Sequence, residues 1–203
     1  MEGRVQSLGV LGGTFDPPHI AHLILASEAQ VQLSLERVLW VLTPIPPHKP
    51  DRIITPIAIR CEMVQAAIHE NHTFEFSSVD IDRDPPHYAA DTMLLLRQSY
   101  PQSHLTYLMG ADSLRDLPKW HQPELFIQRC DWLGVMRRPG VKVDLGRLIT
   151  RFPELAFKIR FIDVPMLEFS SSDIRQRVAR GSTYRYFLPE KIYRLVLRHH
   201  LYQ

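Results

Sequence analysis

Gly9–Ala29 reads GVLGGTFDPPHIAHLILASEA, and the order of its residue types decides the fold. An apolar, β-branched run, SLGVLG from Ser7, meets a double glycine, then an acid, two prolines and two histidines, and then apolar residues at helical spacing. That is a buried strand feeding a turn that opens a helix. Gly12 and Gly13 let the backbone turn sharply and approach a ligand closely, because no Cβ intervenes. The pattern is neither the G-x-G-x-x-G dinucleotide fingerprint nor a G-x-x-x-x-G-K-[ST] phosphate loop. Pro17 and Pro18 fix the chain at the helix entry, and His19 and His22 then share one face of the first turn. Unpaired N–H groups and the positive end of the helix dipole favour an anion there. Two imidazoles at that spot add donors for phosphate oxygens. A metal site is less well supported, since no third ligand stands at useful spacing.

The pattern repeats outward. RVLWVLT is a second strand, and HIAHLILASEAQVQLS between them is helical. TPIAIRCEMVQAAIHENH is a helix with Thr55 as N-cap and Pro56 at the first helical position. FEFSSVDI is strand, HYAADTMLLLRQSYP helix, HLTYLMG strand, ADSLRDLPKW a short helix stopped near Pro118, CDWLGVMRRPG a strand ending in a turn, and KIRFIDV a further strand. SSSDIRQRVARG and PEKIYRLVLRHHLYQ close the chain as helices. Strands alternating with helices predict βαβ units, hence an α/β fold with a mainly parallel sheet, helices on both faces and additional C-terminal helices. Residues 1–203 are expected to form a single domain, for which the 45% hydrophobic content supplies a sizeable core. Ligands in such sheets bind beyond the carboxyl ends of the strands. GGTFDPPHIAH, TPIPPHK, GAD, RRPG and SSSDIR each follow a strand, so polar chemistry collects at one sheet edge.

Composition narrows the partners. Up to Met136 there are 10 Lys and Arg against 16 Asp and Glu, whereas from Arg137 onward the balance is 14 against 6. A basic C-terminal third suits an anionic ligand, although most of these arginines sit at helical spacing as solvated faces would. Cys61 and Cys130 lack metal-ligand spacing and read as free packing thiols. No apolar run reaches the roughly 18 residues of a membrane span, and the N-terminus lacks a secretory h-region. The expectation is a cytoplasmic protein with no membrane or nucleic-acid partner.

FSSSDIRQRV carries a second helix start. Ser170 and Asp173 have the spacing of a capping box. Arg175 lies in the first turns of that helix, within reach of a polyphosphate that the serine hydroxyls and terminal amides also meet.

Together these residues resemble the nicotinate-nucleotide adenylyltransferases of bacteria, within the nucleotidylyltransferase superfamily that carries an HxGH element. GGTFDPPHIAH is similar to the GGTFDPxHxGH motif and FSSSDIR to ISSTxIR; PPHK, HYAADTM, GADSL, LPKWH, RRPG and YFLPEKIYRLVLRHHLY follow in the family's order. Ala21 stands where the family motif has glycine, and Ser172 where it has threonine. The resemblance implies a Rossmann-like fold and transfer of AMP from ATP to nicotinate mononucleotide, giving deamido-NAD and pyrophosphate. It implies that Gly12, Gly13, Thr14 and Phe15 meet the ATP, that His19 and His22 hold the triphosphate, and that Ser171, Ser172 and Arg175 neutralise the departing pyrophosphate. His19, His22 and Arg175 are the catalytic candidates. Gly110 and Asp112 would lie against the adenosine and Arg138 over the adenine or triphosphate. His48 and Lys49 would meet the mononucleotide phosphate, Trp120 would stack on the pyridine, and Thr92 with amides near Trp120 and His121 would receive the carboxylate. Asp16 is placed on the mononucleotide side, with orienting the loop, meeting a hydrated metal and stabilising an Asx turn as its open roles. Mg²⁺ would be held mainly by phosphates and water.

Three alternatives stand beside this reading. Nicotinamide mononucleotide differs from the acid only by an amide, and phosphopantetheine adenylyltransferases share a similar first motif but lack HYAADTM and LPKWH. A nucleotide-sensing or RNA-binding module would use the basic C-terminal third, yet has no need of His19, His22 and the serine-arginine loop together.

Overall fold

Alternation along the first strand sets the architecture. In the computed structural model, which describes residues 5–46, 54–137, 140–165, 167 and 169–203, strand β1 (Ser7–Gly13) sends Leu8 and Val10 to one face and Leu11 to the other, all buried. It leads into α1 (Ile20–Gln32), followed by β2 (Arg37–Leu42), α2 (Ile57–Ile68), β3 (Phe74–Ser77) and α3 (Ala89–Ser99). The second half runs β4 (His104–Gly110), α4 (Ala111–Asp116), α5 (Pro123–Arg129), β5 (Trp132–Met136), α6 (Leu145–Arg151), α7 (Leu155–Lys158) and β6 (Ile159–Ile162), then α8 (Ser171–Ala179) and α9 (Glu190–Arg198). All strand pairs are parallel, and the sheet order is β3-β2-β1-β4-β5-β6. This is the doubly wound, Rossmann-like order, whose switch point lies between β1 and β4.

Each face has its own core. Leu39, Val41, Leu105, Met109, Leu133 and Val135 join Met93, Leu96 and Phe126 of α3 and α5 on one side. On the other, Val38, Trp40, Leu42 and Leu108 meet Leu25, Ala26 and Ala29 of α1 and Val64 of α2. A third cluster ties α2 to α8 and α9 through Met63, Ile174, Ile192, Leu195 and Val196.

Three details depart from the sequence reading. The cap of α2 falls at Pro56, whose carbonyl accepts from the Arg60 N–H (3.2 Å), and the helix starts at Ile57. The strand expected over FEFSSVDI ends at Ser77, where Ile81 N–H donates to the Ser78 carbonyl (2.7 Å) and starts a turn. The final helix stops at Arg198, with the last residues folded back. Helices α5, α6 and α7 likewise have no counterpart in the sequence pattern, since four to seven residues each are too few to display a helical period.

The basic C-terminal third is largely occupied by its own partners. Arg185 and Arg194 pair with Glu190, Arg198 with Glu62, and Arg160 and Arg177 lie over the rings of Trp132 and Phe187. Among the described residues no helix is long and apolar enough to cross a membrane.

Candidate active site

Both glycines at the end of β1 lie in close quarters. A Cβ on Gly12 would stand 2.8 Å from the Tyr107 hydroxyl, and one on Gly13 would stand 3.0 Å from the Phe15 ring. The space beside each is filled by the protein's own aromatic groups. Phe15 has φ of 48°, turns its buried ring onto Trp40 (5.2 Å) and leaves its backbone at the strand edge.

His19 is the N-cap of α1, and its N–H donates to His22 Nδ1 at 3.1 Å. A ring nitrogen that accepts carries no proton, so the neutral His22 imidazole bears its hydrogen on Nε2. Burial pushes the His22 pKa down to about 4, which keeps the ring neutral under ordinary conditions. The two imidazoles stack at 3.7 Å, and Phe15 packs edge-on to His22 at 5.1 Å. His22 is thus a fixed neutral donor beside a helix N-terminus. Ala21 sits in the first turn of α1, and its methyl leaves the helix starting at Ile20.

This geometry has a consequence for stability. A folded-state pKa depressed below the ordinary value of 6.5 means that the fold favours the neutral ring. The His22 contribution is full above pH 6.5 and is lost as the pH falls toward about 4. The melting temperature is expected to fall over that window more in the wild type than in His22→Asn, as thermal unfolding at several pH values would show. Equal falls in the two proteins contradict the expectation.

Helix α8 opens beside α1. Ser170 caps it in the expected box with Asp173, its Oγ accepting from the Asp173 N–H at 3.3 Å. Ser171 Oγ donates to the Pro17 carbonyl (2.9 Å), and Arg175 donates to the Asp16 carbonyl (2.6 Å) and to Ser172 Oγ (2.8 Å). Phe169 meets the His19 ring edge-on at 5.2 Å. The two helix starts, 154 residues apart at Ser171 and Pro17, are joined into one rim. In this arrangement Ser171 and Arg175 bind the first loop itself, and Ser172 braces Arg175. Asp16 is 2% exposed, and its Oδ1 accepts from the Tyr202 hydroxyl at 2.8 Å.

Across the switch point lies an aromatic group. Trp120 follows the short helical turn after α4 and packs on Phe126 (5.0 Å) and edge-on to Tyr107 (6.2 Å). Its own N–H donates to the Leu117 carbonyl. His121 is exposed and stacks on Tyr88 at 3.9 Å. Thr92 is 3% exposed, and its hydroxyl donates to Asp80 Oδ1 at 2.7 Å within a network completed by Arg83. The Asp112 side chain folds back over Gly110, at 2.6 Å from where a Cβ would be. His48, Lys49 and Arg138 lie outside the described residues.

Two residues of the site escaped the sequence reading. Arg60, 2% exposed, donates to the carbonyls of Thr14, Thr43, Pro44 and Thr55 at 2.8–3.0 Å. It links the loops that follow β1 and β2. Only its position among the apolar residues of α2 marks it as an inward-facing arginine. Tyr107 likewise reads as one more apolar strand residue, yet its hydroxyl reaches Gly12.

A doubly wound sheet with two joined helix starts near its switch point, one carrying His22 and the other Arg175, is a framework suited to a phosphate-bearing ligand. A family model described as cytidylyltransferase-like matches residues 10–177. The chain is 45% identical over 97% of its length to a Thermomicrobium roseum protein named "Probable nicotinate-nucleotide adenylyltransferase", covering 91% of that protein. It is 36% identical over 98% of its length to the nicotinate-nucleotide adenylyltransferase of Bacillus subtilis, covering all of it. The structure of the Plasmodium falciparum nicotinic acid mononucleotide adenylyltransferase complexed with NaAD shares the fold, with a TM-score of 0.80, 18% identity and 97% of each chain covered. The chain belongs to the nicotinate-nucleotide adenylyltransferase family.

Proposed function

We propose that the protein transfers AMP from ATP to nicotinate mononucleotide, giving deamido-NAD and pyrophosphate. The observation that supports this reading is the rim where Ser171 bonds Pro17 and Arg175 bonds Asp16, because it brings together two helix N-termini and a neutral His22 that would suit one polyphosphate. A phosphate oxygen of the mononucleotide attacks the α-phosphorus of ATP, a new P–O bond forms, and the bond to the β-phosphate breaks. The nucleophile is already anionic, so no general base and no covalent enzyme intermediate are needed. Catalysis is positioning and charge stabilisation.

In this reading His22 Nε2–H donates to the α-phosphate oxygens, His19 lies along the triphosphate, and Ser171, Ser172 and Arg175 meet the β- and γ-phosphates. Backbone of Gly12, Gly13, Thr14 and Phe15 lines the nucleotide path, with Gly110, Asp112 and Arg138 on the adenosine side. His48 and Lys49 take the mononucleotide phosphate. Asp16 holds the loop from within, and Thr92 shapes the mononucleotide side through Asp80 and Arg83. Nucleotidyl transfer from ATP runs with a divalent cation; Mg²⁺ would ride on the phosphates and water. Among the described residues no three His, Cys, Asp or Glu side chains gather as a metal cage, and a cation carried by a triphosphate asks for none. One sheet carrying both substrate halves supports a single catalytic unit over residues 1–203, working in the cytoplasm.

Trp120 supplies the face for the pyridine. Trp120→Ala is expected to raise the KM for the mononucleotide about 10-fold, the upper range for an aromatic stack, with the KM for ATP little changed. Steady-state kinetics with each substrate varied in turn checks this, and an equal rise in both constants contradicts it. The reaction itself is tested by pyrophosphate release from ATP with nicotinate mononucleotide, nicotinamide mononucleotide or phosphopantetheine offered separately. Turnover is expected with the first; product with phosphopantetheine alone overturns the reading.

A further inference from the structure

Helix α9 does not end in a frayed tail. His200 N–H donates to the Leu197 carbonyl (3.2 Å) and Leu201 N–H to the Val196 carbonyl (3.0 Å), with His200 at φ of 49°. These are the paired bonds of a Schellman closure, in which a left-handed residue reverses the chain after the helix. Tyr202 follows at φ of 65°, so two side-chain-bearing residues within three positions hold a conformation that favours glycine. Strain of this kind persists where the surroundings over-determine it. Here the reversal turns the Tyr202 ring into the cluster formed by α2, α8 and α9 and its hydroxyl onto Asp16 Oδ1 at 2.8 Å.

What Asp16 holds makes that contact consequential. The Thr14 carbonyl accepts from Arg60 of α2, the Asp16 carbonyl from Arg175 of α8, and the Pro17 carbonyl from Ser171. The main chain of residues 14–17 is thereby tied to two helices, and the Asp16 side chain adds a third tie, to the C-terminal turn. Two residues beyond Pro17, His19 caps α1 and fixes His22. Burial and the Asp16 carboxylate push the Tyr202 phenol far above its ordinary pKa, so the hydroxyl remains a donor throughout.

We propose that Tyr202 is a positioning residue for adenylyl transfer, its hydroxyl fixing Asp16 and through it the register between the α1 donor site and Arg175. The proposal rests on the adenylyl-transfer reading above. A displacement of about 1 Å at a reacting centre is enough to cost orders of magnitude in rate, so a remote tie to the loop is read in kcat. A cleft of about 500 Å³ lined by Asp16, Thr55, Arg175 and Tyr202 lies alongside, from which water reaches the carboxylate once the hydroxyl is gone. Loss of the hydroxyl therefore costs geometry more than stability.

The test compares wild type, Tyr202→Phe, Asp16→Leu and the double variant as full chains with ATP and nicotinate mononucleotide. Tyr202→Phe is expected to lower kcat about 10-fold, with both KM values within about 3-fold and the melting temperature within about 2 °C. The double variant is expected to be no slower than Asp16→Leu alone, since Asp16→Leu already removes the acceptor of the Tyr202 hydroxyl. A kcat for Tyr202→Phe within about 2-fold of wild type, or single effects that simply multiply, overturns the proposal. A lowered melting temperature with kcat preserved also overturns it, as that is the signature of packing alone. Absence of turnover in the wild type overturns the adenylyl-transfer reading and the proposal with it, whereas an active wild type with an unaffected Tyr202→Phe overturns the proposal only.

Discussion

His22→Asn is expected to lower kcat about 100-fold or more, the scale of removing one preorganised donor from a developing charge. The choice of asparagine separates the two jobs of the imidazole. Its side-chain oxygen stands near the position of Nδ1 and keeps an acceptor for the His19 N–H, which the histidine meets at 3.1 Å. It does not extend to Nε2, so the donor aimed at the phosphate is lost while the helix cap survives. His22→Gln reverses the exchange, offering an amide N–H near Nε2 without an acceptor near Nδ1. Glutamine is therefore expected to retain more rate and less stability than asparagine. His22→Ala loses both functions and leaves a void beside Phe15 and Trp40. Steady-state kinetics paired with thermal unfolding reads the difference; a folded His22→Asn enzyme turning over within about 3-fold of wild type would remove His22 from the transition state.

The neutral state of His22 bears on the pH dependence of the rate. An imidazole held at about 4 does not titrate between pH 6 and 8, so a break in kcat in that range belongs to another group, such as the mononucleotide phosphate. Phosphate attack needs no proton removed by the enzyme, and a donor that never changes charge suits it.

How far the sequence carries to this site depends on the range of each signal. SLGVLG, RVLWVLT and HLTYLMG are legible as strands because buried parallel strands are continuous apolar runs, and the sheet contains each of them. The Ser170–Asp173 box is legible because its bonds join residues three apart. Long-range bonds leave no such trace. Nothing local in FSSSDIR says that Ser171 donates to Pro17, 154 residues earlier, or that Tyr202 reaches Asp16, 186 residues earlier. The tyrosine reads as one more apolar position on an amphipathic helix, and its ring does pack. Only the reversal at His200, with no glycine to announce it, directs the hydroxyl. The partner of Thr92 is equally untraceable from its neighbours: its hydroxyl donates to Asp80, twelve residues away.

Arg60→Met is expected to cost about 3–5 kcal/mol of stability, in the range for breaking buried charged contacts and well above the usual single substitution. Methionine matches the arginine stem in bulk, so the loss is that of the guanidinium. Four carbonyls, of Thr14, Thr43, Pro44 and Thr55, lose their donor together. Hydrogen bonds to a charged group contribute about 1.5–3 kcal/mol each, and their shared donor keeps them from adding in full. For a chain of this size the change corresponds to a fall of about 10 °C in melting temperature. Lysine does not rescue it, because one ammonium on a flexible stem cannot span four acceptors that a planar fork reaches at once. Burial lowers the Arg60 pKa while Asp16 and Tyr202 raise it, so the cation stays where the fold has supplied anionic and polar neighbours. The same substitution unties the loop after β2 from the loop after β1. Activity measured well below the melting temperature should then show raised KM values for ATP and for the mononucleotide together, unlike the one-sided effect at Trp120. Differential scanning calorimetry and two-substrate kinetics test both halves, and an Arg60→Met protein melting within about 1 °C of wild type would show that water replaces the guanidinium at these carbonyls.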